Sequence, residues 1–174
     1  MEMNAQQLSA NFNDAPFILS GVHFENNGNY PKLYTCDSTG ISPALEWKNA
    51  PKNTKSFAIT MHHYPRTGDK HVYWVVYNIP STTTSIPENQ SGVYAYGKNT
   101  VNGRNTYTPP CSKGPGAKTY TITLYALSET PFINMPASQV TMDVLLKSIE
   151  NKKLDSAVMN VHYSRPSNVL APKE

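Results

Sequence analysis

Apolar residues recur along the chain in short alternating runs, cut apart by turns rich in Gly, Pro and Asn, and this pattern predicts strands far more often than helices. Phe17, Ile18 and Leu19 open the first apolar segment, and the Asn- and Gly-rich stretch 24–29 closes it with a turn signal. Residues 34–40 read as a loop, 44–47 as a short strand and 50–54 as a turn. In 56–61, Phe57 and Ile59 fall on one face and Ala58 and Thr60 on the other. The strongest strand signal is 72–79, β-branched or aromatic up to Asn78 and stopped by Pro80. Its unbroken apolar run calls for cover on both faces, the mark of a central strand.

The stretch 81–105 is polar and turn-rich, a long excursion around Pro87, Gly92, Gly97 and Gly103. Residues 119–127 alternate again, with Tyr120, Ile122, Leu124 and Ala126 sharing a face. One helix is predicted near the C-terminus. Thr141 suits its N-cap, Asp143 its first turn, and Met142, Leu145, Leu146 and Ile149 line one side. A last strand, 157–163, sets Val158, Asn160 and His162 against Ala157, Met159, Val161 and Tyr163. Roughly six to eight strands, one helix and no strand–helix alternation predict a mainly β protein, an antiparallel β-sandwich with a C-terminal α-helix and short peripheral helices. Residues 17–166 form the expected domain, with a polar arm at 1–16 and a tail at 167–174.

Composition narrows the function classes. The chain has 174 residues, enough for one domain with its own core. Charged residues make up 16% and the net charge is +3, with Lys152 and Lys153 the nearest thing to a basic cluster, so no nucleic-acid surface is expected. No apolar run approaches the roughly 18 residues of a membrane-spanning helix. Residues 1–10 lack the charged-then-apolar order of a signal peptide, so none is expected in the sequence as written. A mature exported chain with a replacement Met fits equally well. No Gly-x-Ser-x-Gly elbow, P-loop or paired nucleophile and base is present, so no enzyme and no cofactor are expected. His62, His63 and His71 lack the spacing of a metal site. Cys36 and Cys111 are either two unrelated buried thiols or one bridge. A bridge would close a loop of about 75 residues and stabilise the fold by up to ~4–5 kcal/mol.

Several segments, taken in order, resemble one known family. They are Tyr34-Thr35-Cys36-Asp37, Ile41-Ser42-Pro43-Ala44-Leu45-Glu46-Trp47, Pro51-Lys52-Asn53-Thr54-Lys55-Ser56-Phe57 and Trp74-Val75-Val76-Tyr77-Asn78-Ile79-Pro80. Ile86-Pro87-Glu88, the strand from Tyr120 to Leu127, the helix from Leu145 to Ile149, and Tyr163 with Arg165 complete the series. Together they resemble the phosphatidylethanolamine-binding proteins, in their bacterial, Raf kinase inhibitor-like branch. The resemblance implies an antiparallel sandwich with a small anion pocket at one end.

The pocket motifs themselves depart from that family. Its Asp-Pro-Asp-x-Pro loop corresponds here to Met61-His62-His63-Tyr64-Pro65, the His before its central Trp to Tyr73, and its Gly-x-x-His-Arg-Tyr to a stretch ending Lys118-Thr119-Tyr120. The implied ligand-binding set is therefore His63, Pro65, Tyr73, Lys118 and Tyr120, roofed by Ser42 and Pro43. Replacing the family's acid by a His and one His by Lys118 removes a charge that repels anions. The set suits a small anion or a phospholipid head group, and the same replacements also fit a pocket that has lost its ligand. His62 and His63 are adjacent on a strand end and point opposite ways.

The resemblance further implies that the loops carrying Cys36 and Cys111 flank the pocket and are bridged, which favours a periplasmic or secreted chain over a cytoplasmic one. It leaves a second role open: a protein-interaction or inhibitor module, regulating a protease or kinase, with the 81–105 stretch as its surface.

Overall fold

The computed structural model describes residues 15–114 and 116–165. The expected tail at 167–174, and all of the expected arm except Ala15 and Pro16, lie outside them. Among the described residues nine strands and one α-helix follow one another: β1 (Ile18–Gly21), β2 (Gly28–Asn29), β3 (Leu45–Lys48), β4 (Ser56–His63), β5 (His71–Pro80), β6 (Ser85–Ile86), β7 (Ala95–Tyr96), β8 (Lys118–Leu127), α1 (Met142–Ile149) and β9 (Lys153–Tyr163). They form a three-stranded sheet, β1-β3-β6, packed on a six-stranded sheet, β2-β9-β8-β4-β5-β7. The expected mainly β sandwich with a C-terminal helix is the observed fold. All pairs are antiparallel except the short β2–β9 pair.

Alternation along β4, β8 and β9 sorts their side chains onto the two faces of the large sheet. Phe57, Ile59, Met61, Ile122, Leu124, Met159 and Val161 join Leu19, Leu45 and Trp47 in the core between the sheets. Ala58, Val72, Val75, Tyr77 and Leu127 face the other way, where Met142, Leu145 and Ile149 of α1 and Val140 before it cover them. Thr141 Oγ1 accepts the Val144 N–H at 3.2 Å as N-cap, and Lys70 pairs with Asp143 in the first turn.

The 72–79 run proves to be a near-edge strand, not a central one: β8 and β4 occupy the middle. An apolar run reports cover on both faces and says nothing about position in the strand order. The outer edge of β5 is closed by β7 and the chain beyond it. Gly97 and Thr100 donate their N–H groups to Val75 O and Val72 O at 2.9 and 3.0 Å, and Thr108 N–H to Tyr73 O at 2.9 Å. The polar stretch around them is ordered by Asn99, whose side chain is fully buried. Its Nδ2 donates to Arg104 O at 2.9 Å and Thr106 O at 3.2 Å, while its Oδ1 accepts the N–H groups of Val101 and Asn102.

Leu145 is fully buried against the large sheet, whereas Leu146, on the predicted apolar stripe, is only half-buried. Leu145→Ala is expected to cost about 2–5 kcal/mol of unfolding free energy in urea titrations, and Leu146→Ala distinctly less.

Candidate functional site

At one end of the large sheet, the end of β4, the start of β5 and the start of β8 lie side by side. His63 pairs with His71, and Lys118 with Tyr163 of β9. Beyond them the 64–67 turn and the 116–118 approach to β8 enclose an open cleft of about 770 Å³. His63, Pro65 and Lys118 line it, together with Tyr64, Arg66, His71 and the threonines at 119 and 121. No carboxylate is among these lining residues. His63 Nδ1 lies 2.8 Å from Thr119 O. A carbonyl only accepts, so Nδ1 is the donor in this contact, and Nε2 can donate to an anion only when the ring is doubly protonated.

Tyr73 reaches this end because of a bulge. Met61 pairs with Trp74 and His62 with Val72, so Tyr73 is one residue too many on β5. Both Tyr73 and Trp74 therefore turn into the inter-sheet core, where strict alternation would have sent one of them under the helix. The Tyr73 ring stands edge-on to Tyr120 at 5.4 Å, and the His63 ring lies 5.5 Å from Tyr120. Burial pushes the Tyr73 phenol up to about 12, and burial raises Tyr120 further, with Tyr73 adding to the rise and Ser112 opposing it. Both phenols therefore stay neutral. The Tyr120 and Ser112 hydroxyls lie buried close to each other, and neither makes a hydrogen bond of normal geometry.

The sequence-predicted set is thus divided between two depths. His63, Pro65 and Lys118 line the open cleft, while Tyr73 and Tyr120 are not among its lining residues and lie buried in the inter-sheet core, Tyr120 packed beside His63. Ser42 and Pro43 are buried away from the residues lining the cleft. Ser42 Oγ accepts the Gln90 N–H at 3.0 Å and its carbonyl the Asn89 N–H at 2.9 Å, so this pair anchors the 86–90 turn. His62 and His63 do point to opposite faces. His62 is buried against Tyr64, with ring centres 4.9 Å apart. Among the described residues no three His, Cys, Asp or Glu side chains come close enough to hold a metal ion.

Cys36 and Cys111 are disulfide-bonded, with Cα atoms 5.2 Å apart. Beside the bridge lies a buried ion pair that sequence reasoning missed. Arg165 grips Asp37 with two contacts, Nε to Oδ2 at 2.9 Å and Nη2 to Oδ1 at 2.7 Å, and Tyr163 donates to Oδ2 at 2.6 Å. The Arg165 hydrogen bonds hold the Asp37 carboxyl below its ordinary range despite burial. Asp37, Tyr163 and Arg165 all sit in recognisable motifs, but nothing in one sequence links positions 126 to 128 residues apart. Tyr64 and Arg66 also line the cleft, and as loop residues they carry no periodic signal in the sequence.

The family model described as phosphatidylethanolamine-binding protein matches residues 20–164. A UPF0098 protein of Aquifex aeolicus is 36% identical over 133 residues, which are 71% of this chain and 75% of that one. A UPF0098 protein of Methanothermobacter thermautotrophicus is 30% identical over 147 residues, 82% and 95% of the two chains. Among solved structures, a candidate phosphatidylethanolamine-binding protein homolog of Chlamydia trachomatis superimposes with a TM-score of 0.78 at 25% identity, covering 86% of this chain and 98% of that one. Escherichia coli YbcL, with a TM-score of 0.75 at 21% identity over 87% and 100% of the chains, shares the fold.

Burial, then the positive charges of Lys70 and His63, hold the pKa of His62 below the ordinary 6.5. Its neutral form is the native one, so the stability it contributes is present above pH 6.5 and is lost as pH falls below that value, where the unfolded chain takes up the proton first. The melting temperature is expected to fall on acidification from about pH 7.5 to about 5, and His62→Gln to flatten that slope.

Proposed function

Because the chain belongs to the phosphatidylethanolamine-binding protein family, we propose that its cleft binds a small anion or the phosphate-bearing head group of a phospholipid, and that the protein acts by binding and not by catalysis. The observation that carries this reading is the charge of the cleft. Lys118, Arg66 and the two imidazoles of His63 and His71 line it, with no carboxylate among the described lining residues. Charge-assisted hydrogen bonds from such donors are the strong ones, and Arg presents a planar fork that matches phosphate and carboxylate oxygens.

The altered composition accords with retained binding in another chemistry. An acid in the family pocket sets a proton requirement on the ligand. With His63 at that position the cleft is cationic or neutral throughout, and a fully ionised anion meets no like charge. The disulfide supports placement in an oxidising compartment, periplasmic or extracellular. No helix among the described residues is long and apolar enough to cross a membrane.

Titration with inorganic phosphate, acetate and phosphoethanolamine, followed by amide chemical shifts, tests the reading. Shifts are expected at His63, Arg66 and residues 118–120, and a head-group preference appears as tighter binding of phosphoethanolamine than of phosphate. Lys118→Met is expected to weaken phosphate binding about tenfold, the loss of one charge-assisted hydrogen bond. Spectra unchanged at millimolar concentrations of all three ligands would exclude the proposal.

A further inference from the structure

The surroundings of the disulfide differ from those of an inert staple. Cys111 is exposed and Cys36 half-buried. The Arg165 guanidinium directs Nη2 at both sulfurs, 3.1 Å from Cys36 Sγ and 3.2 Å from Cys111 Sγ. Its side chain is only 8% exposed. A guanidinium N–H bonds weakly to a neutral disulfide sulfur and strongly to a thiolate, so this contact favours the open, ionised state of the bridge over the closed one. The adjoining Asp37 carboxylate opposes that preference by neutralising part of the Arg165 charge. It also locks the guanidinium in place, so that the donor is already aimed when the sulfur becomes charged.

The two loops do not rely on the bridge alone. The Cys36 N–H donates to Pro110 O at 3.1 Å, and the Tyr107 hydroxyl donates to Tyr34 O. Gly40, at φ +71°, lies so close to Pro109 that an added Cβ would come within 2.9 Å of the proline ring. Strands β8 and β9 on either side belong to the large sheet. Opening the bridge therefore frees two sulfurs without dismantling the fold around them.

We propose that Cys36–Cys111 is a redox-active bridge that a dithiol reductant opens in the native protein, with Arg165 as the group that holds the departing sulfur. The dithiol's thiolate attacks the exposed Cys111 Sγ. The S–S bond breaks and its electron pair leaves on Cys36 Sγ, which the guanidinium receives. The reductant's second thiol then attacks the mixed disulfide and releases Cys111. Two electrons and two protons pass to the protein, and the reductant becomes a disulfide. This inference does not depend on the anion reading of the cleft.

The test equilibrates the full chain in reduced and oxidised glutathione buffers, quenches thiols by alkylation and counts them by mass spectrometry, with near-ultraviolet circular dichroism recorded in parallel. The wild-type bridge is expected to open within the glutathione range, where structural bridges stay closed, and to keep its native spectrum when open. Arg165→Met is expected to lower the equilibrium constant for reduction about tenfold, as the charge-assisted contact is lost. Asp37→Asn is expected to raise it, by freeing the Arg165 charge. If Arg165 only packs against the sulfurs, both variants loosen the site and both ease reduction. Movement in the same direction, no effect of Arg165→Met, or a wild-type bridge that stays closed until the protein unfolds would each overturn the proposal. The wild-type measurement decides alone if either variant fails to fold.

Discussion

Both faces of the six-stranded sheet have to leave water. Strands β5 and β8 carry large apolar side chains on each face, with Ala58 of β4 between them on the helix side, and neither the small sheet nor the single helix can cover both. Burial is worth roughly 25 cal/mol for each Å² of apolar surface removed from solvent, so the chain satisfies both faces with separate layers. Trp47, Leu45 and Leu19 from the three-stranded sheet meet one face, and Met142, Leu145 and Ile149 from α1 meet the other. The order of layers is a consequence of this double cover.

The cleft exists where that cover ends. The cleft end of β4 and β5 extends past the packed layers, and the backbone there departs from regular pairing at the Tyr73 bulge. A bulge at the end of a sheet re-aims a side chain at the cost of one ladder position. Here it places a second aromatic residue beside Trp74 and under Tyr120. The cations of the rim, Lys118 and Arg66, sit on the first residue of a strand and in a turn, where their charge keeps access to water. With His63 and His71 they line the cleft, and no carboxylate stands among the described lining residues.

A second centre of order lies around Asp37. A buried ion pair is costly unless each charge is well matched, and this one is matched by a two-point grip, a tyrosine hydroxyl and the neighbouring sulfurs. It ties the chain just after the Tyr34 turn to the residues following β9. Loops 36–40 and 109–112 are thereby held from three sides: by the bridge, by the ion pair and by backbone contact.

The sequence alone determined the layer architecture, since period-two and period-3.6 patterns report directly which faces are apolar. It placed β4, β8, the helix with its Thr141 cap and the odd-numbered face of β9, and it carried the family's ordered motifs. The side chains His63, Pro65 and Lys118 could be picked out because they stand in those motifs. Tertiary structure decided the rest. That Tyr73 points inward followed from a bulge, a mismatch between two strands that neither strand encodes alone. That Ser42 and Pro43 serve the 86–90 turn depended on which loop packs over them. That Arg165 meets Asp37 and both sulfurs required bringing together residues more than a hundred positions apart. Periodicity is a property of one segment, whereas pairing register and side-chain convergence are properties of several segments in contact, and only folding brings those into being.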